Sequence, residues 1–542
     1  MSNTIWWPFE LAPELDASFR TYKEEMAHRH VSLNKQRIGQ LAGQLADIMA
    51  SHVPDIIERD GLPYLCHIIN GWGNATYRQR EMISEMLPFV HYDGGGNPFI
   101  LQCEPEGDFH PWQAFAYAVM AGVDADAPIG QSDITLRQLG RHTRQLNIGK
   151  EQGHELGHLL YALSQLEPSK DIPPFLIGGE PHDLKAVMDM AIDAHYYGSF
   201  DVCRKVHLTE GICAISHRVE GFAEYRPVAE QFLHGQLDIL FLLCMTLEES
   251  QASLKNGILL EDNPRLKELR DVLKISNFLE NHAFYVGHLV ELATLAAQCG
   301  FTPGVAHVNA MFHAVNLLNE IIPDYLPYIY FEDCFLHFGH YRRGITLLQE
   351  LDVTLPAGTP ATLDLAAYTV NLDERTPWRT APAKITELSE VHRNVFRLAK
   401  PVQQERDRFL TVLHHYAKVA DRELEARGGF KHFRRIGPPS WPRSFHYEFL
   451  DYGDKIGIEV HIESDAVQPM NDVVQAVTPK VQSLFPDRTV QWDDNWYKNR
   501  GRLQILFEEE YPEEALSGAM QSLIAATYAD FHPVASNIRI IS

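Results

Sequence analysis

The chain has 542 residues, 45% of them hydrophobic and 22% charged, which excludes a disordered or collagen-like polymer and leaves room for two or three domains. Asp and Glu (72) outnumber Lys and Arg (47) for a formal charge of -25, a field that repels phosphate backbones and anionic lipid, so neither nucleic acid nor a membrane surface is expected as a partner. The seven cysteines are widely spaced without a CxxC pair, and the N-terminus, MSNTIWWPFE, lacks the basic start and apolar run of a signal peptide. Together these predict reduced core thiols and a cytoplasmic location.

From about residue 14 to 350, apolar residues recur at three-to-four spacing, as in Ile38, Leu41, Leu45, Ile48 and again in Leu289, Leu292, Leu295, predicting a helical domain over 1–350. An irregular passage interrupts it near 91–112. There Gly94-Gly95-Gly96 is read as a plain turn, because no Lys-Ser/Thr follows to make a phosphate loop. The best apolar run, Leu237 to Leu247, is too short to span a bilayer. A Pro- and Thr-rich stretch then predicts a connection, followed by a helical hairpin over about 384–400 and 401–427 that Gly428-Gly429 would stop, so that 351–435 reads as linker and hairpin.

Beyond it, SFHYEFLD and KIGIEVHIE alternate at period two, a helix is predicted over about 466–484, TVQWDD and GRLQILFE read as strands, and a helix follows near 512–529. The predicted fold is therefore mainly α: a large helical N-terminal region followed by a small α+β module over 436–542. No internal repeat stands out.

The most specific chemical signature is His154-Glu155-Leu156-Gly157-His158. On a helix, residues four apart share a face, so His154 and His158 are placed to grip one metal ion, while Glu155 is set round the helix to take a proton from a metal-bound water as general base. Zinc suits that arrangement because it lowers the pKa of bound water towards about 7. A tetrahedral zinc needs a third protein ligand. Glu220-Gly221-Phe222-Ala223-Glu224-Tyr225 resembles the Glu-Gly-Phe-Ala-x-Tyr segment of the gluzincin branch of HExxH metallopeptidases. That resemblance covers about 154–158 and 217–225; it implies Glu220 as third ligand and a zinc-dependent, peptidase-like hydrolase acting on a peptide or small molecule.

Two other classes stay open. Glu155-x-x-His158 is also the pair that di-iron helical bundles use twice, a second copy occurs at Glu25-x-x-His28, and Asp189, Asp193, His195, Glu280, His282, His288 and Glu291 are further helical candidates, with iron as cofactor. The remaining class is a non-enzymatic helical interaction protein whose C-terminal module binds a partner or joins copies into a homo-oligomer.

Overall fold

A computed structural model describes residues 9–100, 111–143, 155–197, 202–255, 266–350 and 424–538 apart from short gaps, with a few residues between 355 and 385. The chain forms two compact units, residues 1–256 with 277–397, and 257–276 with 398–542.

The first unit is helical. Its helices are α1 (Pro13–His28), α2 (Lys35–Asp60), α3 (Leu62–Trp72), α4 (Pro111–Met120), α5 (Leu136–Thr143), α6 (Glu155–Leu166), α7 (Leu184–Tyr197), α8 (Val202–Arg218), α9 (Arg226–Leu237), α10 (Ile239–Lys255), α11 (Leu266–Gln298, from 277 onward in this unit), α12 (Val305–Tyr325) and α13 (Phe331–Glu350). Local chemistry sets several of their starts. Pro13 opens α1, where its missing N–H is no loss, and Asp183 caps α7 by accepting the Ala186 N–H at 2.8 Å. The irregular passage resolves into a turn in which the Asp93 carboxylate accepts from the Gly95 and Asn97 N–H groups at 2.8 and 2.9 Å.

Helix α6 is apolar nearly all round and almost wholly buried, the mark of a central helix. The stretch Ala223–Glu249 is long and apolar enough to cross a membrane, yet 83% of its most apolar 18-residue window is buried inside the protein, which makes it core. No disulfide joins Cys66, Cys203, Cys213, Cys244 or Cys299.

Glycines bring three helix pairs to contact distance. A Cβ on Gly157 of α6 would lie 2.5 Å from the His207 backbone of α8, and one on Gly211 of α8 would lie 2.5 Å from the Gly157 carbonyl. The same device joins α11 to α13: a Cβ on Gly287 would lie 2.5 Å from the Tyr341 nitrogen, and one on Gly344 would lie 2.9 Å from the Gly287 carbonyl. Gly71 of α3 meets Gly339 of α13 in like manner, at 2.9 Å. Arg342 of α13 also donates to the carbonyls of Ala42 and Gly71, tying α13 to the neighbouring helices α2 and α3.

The second unit contains a six-stranded antiparallel sheet of β1 (Glu425–Phe430), β2 (Phe433–Gly437), β3 (Phe445–Asp451), β4 (Lys455–Ile462), β5 (Val490–Tyr497) and β6 (Arg500–Glu508), in the order β5-β6-β4-β3-β2-β1. Helices α14 (Met470–Leu484) and α15 (Glu513–Ala535) pack against it. Strand alternation sends Phe445, Tyr447, Phe449, Ile458, Val460 and Ile462 into a core shared with Val474, Val481, Met520 and Leu523 of the helices. The mainly α architecture with a C-terminal α+β module is thus as the periodicities predict.

One predicted element is corrected. Residues 425–427, expected as the end of a helix that Gly428-Gly429 stops, instead open strand β1; pairing with β2 outweighs the helical pattern and carries the strand through Gly428-Gly429. The rest of the expected hairpin, 386–423, lies outside the described residues.

Candidate metal centre

Six helices of the first unit each contribute one ring to a closed circuit. Going round it, His67 of α3 lies 5.0 Å (centroid to centroid) from Tyr117 of α4, and Tyr117 lies 5.6 Å from His158 of α6. His158 is 4.5 Å from His207 of α8, and His207 is 5.2 Å from His288 of α11. His288 is 3.6 Å from His340 of α13, which closes the circuit on His67 at 5.4 Å. None of the six exceeds 8% exposure. Five imidazoles in one buried place is unusual, because histidine is polar enough to need a partner for each nitrogen.

The partners form an orderly outer layer. Nδ1 of His158 is hydrogen-bonded to Glu155 Oε1 at 3.1 Å, Nδ1 of His207 to Glu210 Oε2 at 2.8 Å, and Nδ1 of His340 to Glu291 Oε2 at 2.7 Å. Nδ1 of His288 donates to the Phe284 carbonyl of its own helix at 2.7 Å. Holding Nδ1 this way fixes ring orientation and, where Nδ1 carries the proton, leaves Nε2 as a bare lone pair; metal-ligating histidines are held in the same manner. His288 must be in that tautomer, since a carbonyl only accepts, and its buried Nε2 has no hydrogen-bond partner among the described residues. The Tyr117 hydroxyl sits between two others, 3.2 Å from His207 Nε2 and 3.3 Å from His340 Nε2. Cys203, one turn before His207 on α8, adds a thiol: ligand atoms of Cys203, His207 and His288 all lie within 4.8 Å of one another.

The electrostatics follow from burial. His288 is held well below the ordinary imidazole range by desolvation and then by the neighbouring His340 and His207, and His340 by desolvation and then by His207 and His158. Burial pushes the Glu210 carboxyl well up, with Glu291 adding repulsion, and pushes Glu291 up to about 7. The Tyr117 hydroxyl is raised well above the usual phenol range by the same cause. Burial thus disfavours charge on His288 and His340 and on the Glu210 and Glu291 carboxyls alike.

The residues expected from the HELGH motif part company here. His158 enters the ring. Glu155 is fully buried: its Oε2 accepts the Trp112 N–H at the start of α4 at 3.1 Å, and its Oε1 is 3.1 Å from His158 Nδ1. His154 lies outside the described residues. Glu220 is exposed in the turn after α8, 13 residues beyond His207, and is not among the side chains gathered round His158. The EGFAEY segment forms that turn and a short 3-10 helix, Ala223–Tyr225. Tyr225 is pinned outside the ring, accepting from Lys185 and donating to Asp189, both at 2.7 Å. Of the helical candidates, His288 and Glu291 join the ring. His195 contacts Thr209 Oγ1 at 3.0 Å and stacks on Phe232, while His282 contacts Thr246 at 2.8 Å.

Sequence reasoning missed His67, Tyr117, His207, Glu210 and His340. A signal was present: Gly157-His158 with His207-x-x-x-Gly211, then Gly287-His288 with His340-x-x-x-Gly344. The second set begins 130 residues after the first (157 to 287). It does not stand out as a repeat because only the contact residues recur. The chain matches no protein-family model, no curated protein and no solved structure.

Proposed function

We propose that this protein is a metalloprotein whose working centre is the histidine ring, with a first-row transition metal bound among the imidazoles of His158, His207, His288 and His340 and Cys203 at its edge. The observation that carries this reading is His288. Its Nδ1 is committed to a backbone carbonyl and its Nε2 is buried without a hydrogen-bond partner among the described residues, an arrangement that costs about 1–3 kcal/mol in the absence of a ligand. A cation at that nitrogen removes the cost. It also draws the Glu210 and Glu291 carboxyls back to the ionised form, since an opposite charge favours the charged state.

Imidazole ligands with carboxyls one layer out suit zinc, copper or iron held singly; carboxylate-bridged di-iron sites use their carboxylates as direct ligands. In this reading Glu155 is a positioning residue, orienting His158 and the start of α4, and Tyr117 is a proton-bearing group 3.2 and 3.3 Å from two of the metal-binding nitrogens. The zinc-hydrolase chemistry suggested by the motif then needs a water-activating base other than Glu155.

Elemental analysis of the purified chain, as isolated and after loading with zinc, copper or iron, tests the proposal. A drop of about one equivalent relative to the wild type is expected in His288→Ala and in His207→Ala, and none in Glu220→Ala. Less than about a tenth of an equivalent in the loaded wild type, or undiminished metal in both histidine variants, rejects it.

A further inference from the structure

The polar face of the C-terminal sheet carries a second group with ligand chemistry. Strands β3 and β4 pair so that His446 stands opposite His461 and Glu448 opposite Glu459. Alternation puts these four side chains, with Ser444 and Glu463, on the face turned away from the apolar core. That face is not a solvated one: His446, Glu448, Glu459 and His461 are all at most 3% exposed.

We propose that His446, Glu448, His461 and Glu463 form a zinc site of two imidazoles and two carboxylates, separate from the histidine ring. One ligand atom from each of the four lies within 4.8 Å of the others. Zinc bonds of about 2.0–2.2 Å place tetrahedral ligand atoms about 3.3–3.5 Å apart, so closing the site needs shifts of about an ångström, within reach of side-chain rotation. The two strands are adjacent and paired in register from Phe445 to Asp451, so the backbone needs no rearrangement to hold the four together.

The surroundings match an outer shell. Glu459 Oε2 holds His461 Nε2 at 2.6 Å, leaving His461 Nδ1 on the side of Glu463, whose Oε1 is 4.0 Å away. Glu459 is itself fixed by the Tyr452 hydroxyl at 2.7 Å and the Gln504 amide at 2.8 Å. A carboxylate behind an imidazole, anchored in turn by further donors, orients the ring and raises its basicity as a ligand. Ser444 Oγ, beside His446 on the same strand face and opposite Glu463, is buried with no hydrogen-bond partner among the described residues. It is an added oxygen at the same place.

The face is also electronegative. Three carboxylates face His461: Glu459 and Glu448 lie 2.6 and 3.6 Å from its Nε2, and Glu463 lies 4.0 Å from its Nδ1. Arg435, 3.0 Å from Glu463 and 3.7 Å from Glu448, answers part of that charge. Zinc would answer the rest.

The test adds zinc alone to the full-length metal-stripped chain and measures bound metal and affinity in the wild type, His446→Asn and Glu463→Gln. His446→Asn is expected to lower the zinc stoichiometry by one equivalent, and by one equivalent again when made in a His288→Ala background, which separates this site from the ring. Glu463→Gln, a near-isosteric change at a half-buried position, is expected to weaken the same site by about tenfold or more. Unchanged stoichiometry in His446→Asn with unchanged affinity in Glu463→Gln overturns the proposal. Should His446→Asn fail to fold, an unchanged zinc affinity in Glu463→Gln overturns it alone.

Discussion

At the scale of single residues, the centre of the helical unit depends on which atom of each imidazole is already engaged. Glu210 illustrates the consequence. It is buried, pushed well up by desolvation, and bonded to His207 Nδ1, so without metal it behaves as a neutral acid, which glutamine imitates in shape and charge. Glu210→Gln is therefore expected to change the stability of the metal-free protein by less than about 1 kcal/mol while weakening metal binding about 10- to 100-fold, because the amide cannot supply the negative charge behind the imidazole. Thermal melts with and without chelator, set beside a metal titration, check both halves; a large loss of metal-free stability would show that the acid is needed for folding itself. His158 and Glu155 were legible in the sequence because the HELGH motif is local. His67, Tyr117 and His340 were not: each is one polar or amphipathic residue in an ordinary helical pattern, and its meaning comes from neighbours that lie far away in the chain.

At the scale of elements, the ring closes because glycines let helices approach until backbones touch. Gly157→Ala and Gly287→Ala each drive a methyl to 2.5 Å from backbone atoms of the facing helix, and backbone on both sides cannot give way as a flexible side chain can. Each is expected to cost about 3 kcal/mol, at the upper end of overpacking effects, and to lower metal content along with the melting temperature. Gly43 is the internal control. It is an exposed position in α2 where an added methyl would meet nothing within 4 Å, so Gly43→Ala is expected to stabilise by about 0.5–1 kcal/mol through helix propensity. Equal effects from all three, measured by chemical denaturation, would refute the close-approach argument. The helices and strands themselves were largely readable from three-to-four and two-residue periodicity, since burial of one face imposes those periods. Strand β1 was not, because Glu425–Phe430 is decided by its pairing with β2 rather than by its own composition.

At the scale of the whole molecule, the helical unit joins segments far apart in sequence through a buried polar network that ought to give it a definite acid limit. Lys23 of α1 and His307 of α12 both bind the Asp238 carboxylate at the end of α9, at 2.5 and 2.6 Å, and His234 of α9 lies against His307 at 3.4 Å. Burial first, then the His307 and Lys23 charges, depress His234 to about 4, with Asp238 pulling the other way. The unfolded chain takes up that proton near 6.5 and the folded chain only near 4, so between those values the unfolded state binds more protons. Stability is therefore whole above about pH 6.5 and falls as the pH drops towards 4, by about 2–3 kcal/mol for this one group. Asp238, also held below its usual range, contributes its loss lower still. His234→Leu removes one proton-binding group while keeping a buried side chain, so its denaturation free energy is expected to fall less steeply across this window, the slope that remains coming from the other depressed histidines, His195, His288 and His340. A slope undiminished in His234→Leu would show that His234 contributes none of the acid sensitivity.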